Sequence, residues 1–303
     1  VPGALTPVSG NVPAMSELDE LLSVLRVEPD DDGRCRAGSI DLAGGPVVFG
    51  GQLLAQSIVA GASVDPAKDV VSAHIVFARG ARADEELRVR VEPMSTGRSF
   101  SSATVTVYQR DERSGEDRLC TRAVVLLAAP VEDLVRHHDP MPTVAAPKPG
   151  RSAHRAAFWE TDVVDDVDVS DPALVGPPEL DVWTRFAGAP DDLLLSCALL
   201  GFASDGYLIG AAMRPHEGIG QSMAHRELST SVIAHTISFH EPFRASEWLL
   251  LHQRSSWAGA GRSVGEGLVY TEDGRLVAGF TQENMIRSMP VPTSGEPAGA
   301  KRQ

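Results

Sequence analysis

Two stretches of this chain, separated by a proline-rich middle, carry the same succession of patterns, and a self-repeat of this length dictates two similar units. In the first, Gly50-Gly51-Gln52 opens the apolar run LLAQSIVAGASV; in the second, Pro190-Asp191-Asp192 precedes LLLSCALLGFASDGYLI. Each predicts one long apolar helix. Strand candidates follow in both, Ala73-His74-Ile75-Val76-Phe77 and Ala234-His235-Thr236-Ile237-Ser238-Phe239, then the alternating runs LRVRVEP and EWLLLHQ. Gly97-Arg98-Ser99-Phe100 corresponds to Gly261-Arg262-Ser263-Val264, and each leads into a strand, a polar hairpin and another strand, with Asp273-Gly274 reading as a two-residue turn. One apolar helix followed by a meander of long antiparallel strands implies an α+β arrangement in which a sheet wraps its helix.

The predicted units span residues 14–129 and 181–288. Between them, residues 130–180 hold eight prolines from Pro130 to Pro178 with little periodicity and read as a linker. Residues 1–13 and 289–303 are rich in small residues and proline and read as disordered tails. From Met15 to Val27 apolar residues recur at helical spacing behind Ser16, which predicts a short leading helix with Ser16 as its N-cap.

The net charge of −14 argues against nucleic acid as a partner, because phosphate binding relies on Lys and Arg releasing counterions. It leaves room for an anionic small ligand at local basic groups such as Arg79, Arg82 and Arg98. No apolar run approaches the roughly 20 residues of a membrane helix, so no membrane insertion is expected. The three scattered cysteines, Cys35, Cys120 and Cys197, point to a reducing compartment and no zinc site. The ending Ala300-Lys301-Arg302-Gln303 differs from the peroxisomal S-K-L address, so the expected location is cytoplasmic.

The copies differ at two telling positions. Aligning Arg118 with Arg275 sets Val125 against Gln282, and aligning Ala62-Ser63 with Ala203-Ser204 sets Val64 against Asp205. Asp205 lies three to four residues from Gly201, Phe202, Leu208 and Ile209, which puts its carboxylate on the apolar face of the predicted helix. An ionisable group facing a core is costly unless paired, so a carboxylate and an amide in one copy mark either a site or a structural hydrogen bond there.

Val48-Phe49-Gly50-Gly51-Gln52, Leu199-Leu200-Gly201-Phe202-Ala203-Ser204-Asp205, Phe239-His240-Glu241-Pro242-Phe243, Glu247-Trp248-Leu249-Leu250 and Gln282-Glu283 together resemble the acyl-CoA thioesterase II family. The resemblance implies a double hotdog, two tandem units each with an antiparallel sheet around a long central helix. It also implies hydrolysis of acyl-CoA to free acid and CoA, no cofactor or metal beyond the CoA of the substrate, and a homo-oligomer. In that family an Asp, a Thr or Ser, and a Gln hold the hydrolytic water, and Asp205 and Gln282 fall on the first and last of these positions. The Thr/Ser-x-x-His segment reads Val232-Ile233-Ala234-His235 here, so a valine stands where a hydroxyl is expected, with Val71 as its counterpart in the first copy. Ser231 and Thr230 adjoin it, but a shift of one residue on a strand turns a side chain to the other face. Backbone N–H groups near Gly51 and Gln52, or near Asp192, are suited to an oxyanion.

Two other readings compete. A chain keeping the fold while lacking the hydroxyl could bind acyl-CoA or an acyl carrier without turnover. Gly261-Arg262-Ser263-Val264-Gly265 matches the G-x-S-x-G elbow of serine hydrolases, but the elbow requires a following helix, and Glu266 to Tyr270 reads as strand. His74 and His235 occupy matching places in the two copies, which favours structural roles for both.

Overall fold

The computed structural model describes residues 16–29, 35–40, 45–111, 114–150 and 158–289. The expected tails fall almost wholly outside this set. The leading helix α1 (Glu17–Leu25) forms as its sequence dictates: Ser16 and Asp19 make a reciprocal capping box, and Leu21 and Leu25 are buried. Short strands β1 (Glu28–Pro29) and β2 (Cys35–Ala37) follow, then the apolar helix α2 (Gly50–Ala62) and the meander β3 (Asp69–Phe77), β4 (Leu87–Thr96), β5 (Phe100–Arg110) and β6 (Asp117–Ala128). The second copy comprises β7 (Glu160–Val163), β8 (Glu179–Arg185), α3 (Leu193–Ala203), α4 (Leu208–Met213), and β9 (Leu228–Phe239), β10 (Leu249–Gly259), β11 (Arg262–Thr271) and β12 (Leu276–Ser288).

All twelve strands join one sheet in the order β1-β2-β4-β5-β6-β3-β9-β12-β11-β10-β8-β7. The copies meet edge to edge, with β3 antiparallel to β9 and Ile75 opposite His235. The central helices lie antiparallel in contact. A Cβ on Gly51 would come 2.4 Å from the carbonyl oxygen of Phe202, and one on Gly201 would come 2.9 Å from Ile58 Cδ1. Glycine at both places permits a close crossing that brings the start of α2 to the end of α3.

Three expectations need correction. The apolar run after Asp192 is two helices, broken at Ser204-Asp205-Gly206-Tyr207, because Ser, Asp and Gly are poor helix interior residues and Ser204 Oγ turns back onto the carbonyl of Gly201 at 3.0 Å. Taken together, Leu193–Met213 is long and apolar enough by composition to cross a membrane, but most of it is buried inside this fold. The segment read as a linker is partly core. Phe158 and Trp159 are buried, Trp159 stacks on Phe186 with ring centroids 6.1 Å apart, and its indole donates to Thr184 Oγ1 at 2.7 Å. Its earlier part packs on the second copy's half of the sheet, where Met141 and Val144 lie against a cluster of Trp183, Trp248, Leu250 and Tyr270. The Asp273 hairpin has three residues, Glu272 to Gly274, with Gly274 at φ +88°, a type of loop closed by a left-handed glycine.

Candidate active site

Asp205 occupies the break between α3 and α4, so it is fixed by a helix end and not by a helical face. Its side chain is 5% exposed. Ser204 closes α3 as its C-cap and Gly206 packs against Trp159, so the aromatic cluster under the break fixes the carboxylate's direction. Burial is the largest influence on Asp205 and raises its carboxyl pKa above the ordinary value of 3.8; His235, the Gly51 backbone N–H and Gln282 act in the opposite direction. The Gly51 amide comes from the other copy and carries the positive end of α2, a standard setting for an anion. Phe49 holds that helix end by packing on Phe202, with ring centroids 5.0 Å apart.

Gln282 projects inward from β12 and is 1% exposed. Its Nε2 donates to Asp205 Oδ1 at 3.0 Å and lies 3.1 Å from His235 Nδ1. His235 is opposite Gln282 in the ladder, its Nδ1 lies 3.4 Å from Asp205 Oδ1, and its Nε2 meets Ser204 Oγ at 3.1 Å. The Ser204 hydroxyl donates to the Gly201 carbonyl, so its oxygen accepts from His235 Nε2, while His235 Nδ1 faces the Asp205 carboxylate and the Gln282 amide. The Oε1 atom of Gln282 is buried and has no hydrogen-bond partner. A buried carboxylate made more basic by its surroundings, beside an amide with spare capacity, is suited to taking a proton from a polarised water.

The remaining sequence candidates separate. Val232 faces the same side as His235, because β9 bulges at Ile233 and the register steps from Ala234 opposite Glu283 to Val232 opposite Asn284. Ser231 is exposed on the other face. Thr230 is buried, but at about 3.3 Å per residue it stands roughly 16 Å along the strand from His235. Gln52 is turned away: its side chain accepts from the Ile40 N–H at 3.0 Å and donates to the Gly38 carbonyl at 3.1 Å, while its own N–H donates to the Phe49 carbonyl at 3.1 Å. The expected oxyanion donors therefore change, because Gly51 is directed to Asp205 and Gln52 closes the helix turn. Asp192 caps the far end of α3, 13 residues before Asp205.

Two family models match the chain, the acyl-CoA thioesterase N-terminal domain over residues 39–128 and the acyl-CoA thioesterase C-terminal domain over residues 132–286. The chain belongs to the acyl-CoA thioesterase II family. It is a hotdog thioesterase, 28% identical over 300 residues to acyl-coenzyme A thioesterase 8 of Rattus norvegicus, covering 88% of this chain and 89% of that one. It is also 28% identical over 290 residues to acyl-CoA thioesterase 2 of Haemophilus influenzae, covering 89% and 98%. The crystal structure of the acyl-CoA thioesterase II TesB2 from Mycobacterium marinum superposes with a TM-score of 0.73 at 28% identity over 92% of this chain and 100% of that one. A hotdog-fold protein from Alicyclobacillus acidocaldarius shares the fold at 16% identity, with a TM-score of 0.68 over 90% and 99%.

In this thioesterase the residue missed by sequence reasoning is His235. The Ala-His letter match is off register by one residue: with Val125 set against Gln282, the ladder sets Ala73 against His235 and Val70, not Val71, against Val232, each copy bulging between those positions. His74 points outward and is exposed, with Nδ1 2.7 Å from Thr236 Oγ1. Val64, Val125 and Ala73 thus fill in the first copy the places that Asp205, Gln282 and His235 fill in the second. Ser263 is buried within strand β11 and is followed by strand, so the G-x-S-x-G segment is no nucleophile elbow. A groove of about 640 Å³, lined in part by Asp139, His240, His252 and Glu266, opens on the second copy's half of the sheet; two of its side chains, His252 and Arg254, are already paired with Asp181 and Glu266.

Proposed function

We propose that this chain hydrolyses acyl-CoA thioesters to free acid and CoA by direct attack of a water held between Asp205 and Gln282. The observation that carries the reading is the buried Asp205 carboxylate, raised in pKa and bonded at once by the Gly51 amide of one copy and Gln282 of the other. Asp205 takes one proton as the water oxygen bonds to the thioester carbonyl carbon. The tetrahedral intermediate then expels the CoA sulfur, which receives that proton. His235 is a positioning residue in this scheme, holding the Gln282 amide and lowering the Asp205 pKa.

The reading needs no cofactor or metal. It places the acyl chain in the apolar seam between the copies and the CoA phosphates near exposed basic groups such as Arg79, two residues beyond the Phe77 ring that lies against Gly50. The free thiols of Cys35, Cys120 and Cys197 fit a cytoplasmic setting. Exposed Val76, Val124 and Leu126 on the outer face of the first copy's half of the sheet fit a homo-oligomer. The test is CoA release from an acyl-CoA panel by the wild type and by Asp205→Asn; equal turnover would remove Asp205 from the chemistry. One observation favours a second reading, acyl-CoA binding without turnover: position 232 carries no hydroxyl. Tight binding of acyl-CoA with no thiol release would select it.

A further inference from the structure

The apolar Val232 has a polar neighbour across the strand pair. Asn284 is opposite Val232 in the β9–β12 ladder, and directly opposed residues share a face with Cβ atoms about 4.5–5.5 Å apart. Asn284 is also two residues from Gln282 on the same strand, so both amides project to the inner side about 6.8 Å apart along β12. It is 1% exposed. Its Nδ2 has one long contact, 3.3 Å to Ser263 Oγ, and its Oδ1 is buried with no partner. Turning the amide over leaves the other atom unpartnered, so one polar atom of Asn284 stays unsatisfied in either orientation.

Two other buried amides, Gln52 and Gln109, are tied at both ends. Gln52 uses both ends on the 38–40 segment, and Gln109 likewise accepts from the Arg82 N–H and donates to the carbonyls of Arg82 and Glu85. Asn284 ties no loop to its strand. A buried amide with spare capacity is costly to keep; Gln56 and Gln253 are two more, but Asn284 stands two residues from Gln282 on one face of β12, beside the base.

We propose that Asn284 is a catalytic residue that donates from Nδ2 to the thioester carbonyl oxygen, supplying from β12 the polar contact that Val232 cannot supply from β9. It rests on the Asp205–Gln282 reading. Gln282 holds the water while Asn284 receives the negative charge as the carbonyl oxygen becomes an oxyanion; when the C–S bond breaks, that charge returns to the carbonyl and the contact weakens. An interaction stronger in the transition state than in the ground state acts on kcat more than on KM.

The experiment compares wild type, N284A, N284D, V232T and the double variant V232T/N284A by CoA release from one acyl-CoA, with melting curves for each. N284A is expected to lower kcat by about 10²-fold to 10³-fold, the effect of removing one oxyanion donor, with KM changed less than threefold. N284D keeps the shape of Asn284 but replaces the donor with a carboxylate, and should be at least as impaired. V232T should raise the kcat of N284A at least tenfold more than it raises that of the wild type. A folded N284A or N284D with kcat within threefold of wild type would overturn the proposal, as would equal V232T effects in both backgrounds. If N284A does not fold, N284D and the V232T comparison in that background decide. Asp205→Asn separates the two readings: an active Asp205→Asn defeats the hydrolytic scheme, whereas an inactive Asp205→Asn with an active N284A defeats this inference alone.

Discussion

The sharpest perturbation is the smallest, a single methyl group at Gly51. A Cβ there would lie 2.4 Å from the Phe202 carbonyl oxygen, 2.6 Å from Phe49 Cε1 and 3.1 Å from Asp205 Cβ. The ring of Phe49 can swing, but the Phe202 oxygen is backbone in the last turn of α3 and cannot. Real Cβ contacts start between 3.0 and 3.4 Å, so the start of α2 must retreat by about 0.6–1.0 Å from the residue whose carboxylate it faces. Gly201 packed on Ile58 and Leu54 resists sliding of the helices, so the displacement concentrates at the amide directed to Asp205. A misplacement near 1 Å costs on the order of 10²-fold in rate, and overpacking costs about 1–3 kcal/mol in stability. Gly51→Ala should therefore lower kcat/KM for acyl-CoA about a hundredfold in a thiol-trapping assay run well below its melting point. Gly45→Ala, where no atom lies within 4 Å, is the control and should behave as wild type. A folded Gly51→Ala enzyme within threefold of wild-type kcat/KM would refute the idea that this crossing sets the geometry of the base.

Asp205→Asn should lower kcat by about 10²-fold to 10⁴-fold, the range for loss of a general base. The same substitution should leave the melting temperature at neutral pH unchanged or higher. A carboxyl whose folded pKa is raised favours its protonated form in the fold, so its contribution to stability declines as pH climbs from the ordinary value through the raised one, and a neutral amide escapes that decline. The acid limb of kcat/KM should fall above the ordinary carboxylate value of 3.8, because the base must be ionised to act; a limb at or below that value would count against Asp205. His235→Ala should move the limb to higher pH, since His235 lowers the Asp205 pKa, and an unmoved limb in an active variant would remove His235 from the network. Trp159→Ala should cost about 3–5 kcal/mol by denaturant titration, as expected of a core indole and not of a linker residue.

The sequence carried the repeat, the order of elements in each copy, the capped α1 and the unequal pair Asp205 and Gln282, because all of these rest on local periodicity or on comparing two halves of one chain. What escaped it depends on register. A bulge at Ile233 turns Val232 and His235 to one side although they are three apart, and period-two counting cannot see a residue that drops out of the ladder. The letters Ala-His in both copies concealed the same slip. Asp205 was found on the supposition of an unbroken helix, yet it works from a break, since Ser-Asp-Gly within an apolar run reads as tolerable until tertiary packing on Trp159 decides. Trp159 itself hid among prolines, where composition speaks for the segment and not for one side chain. Gln52 drew notice by its neighbours in the Gly-Gly-Gln run, but only its partners at Ile40 and Gly38 show that it braces a loop.

The valines at positions 64 and 125 show what joining two copies in one chain permits. In a symmetric pair of identical subunits every substitution appears twice, so a residue that improves the scaffold at one end spoils the chemistry at the other. Here the polypeptide links the partners covalently, the β3–β9 seam holds them in register, and each half answers to selection alone. The first half has Val64 where the second has Asp205 and supplies only one helix end, so titration of active sites should count one per chain although the architecture offers two places.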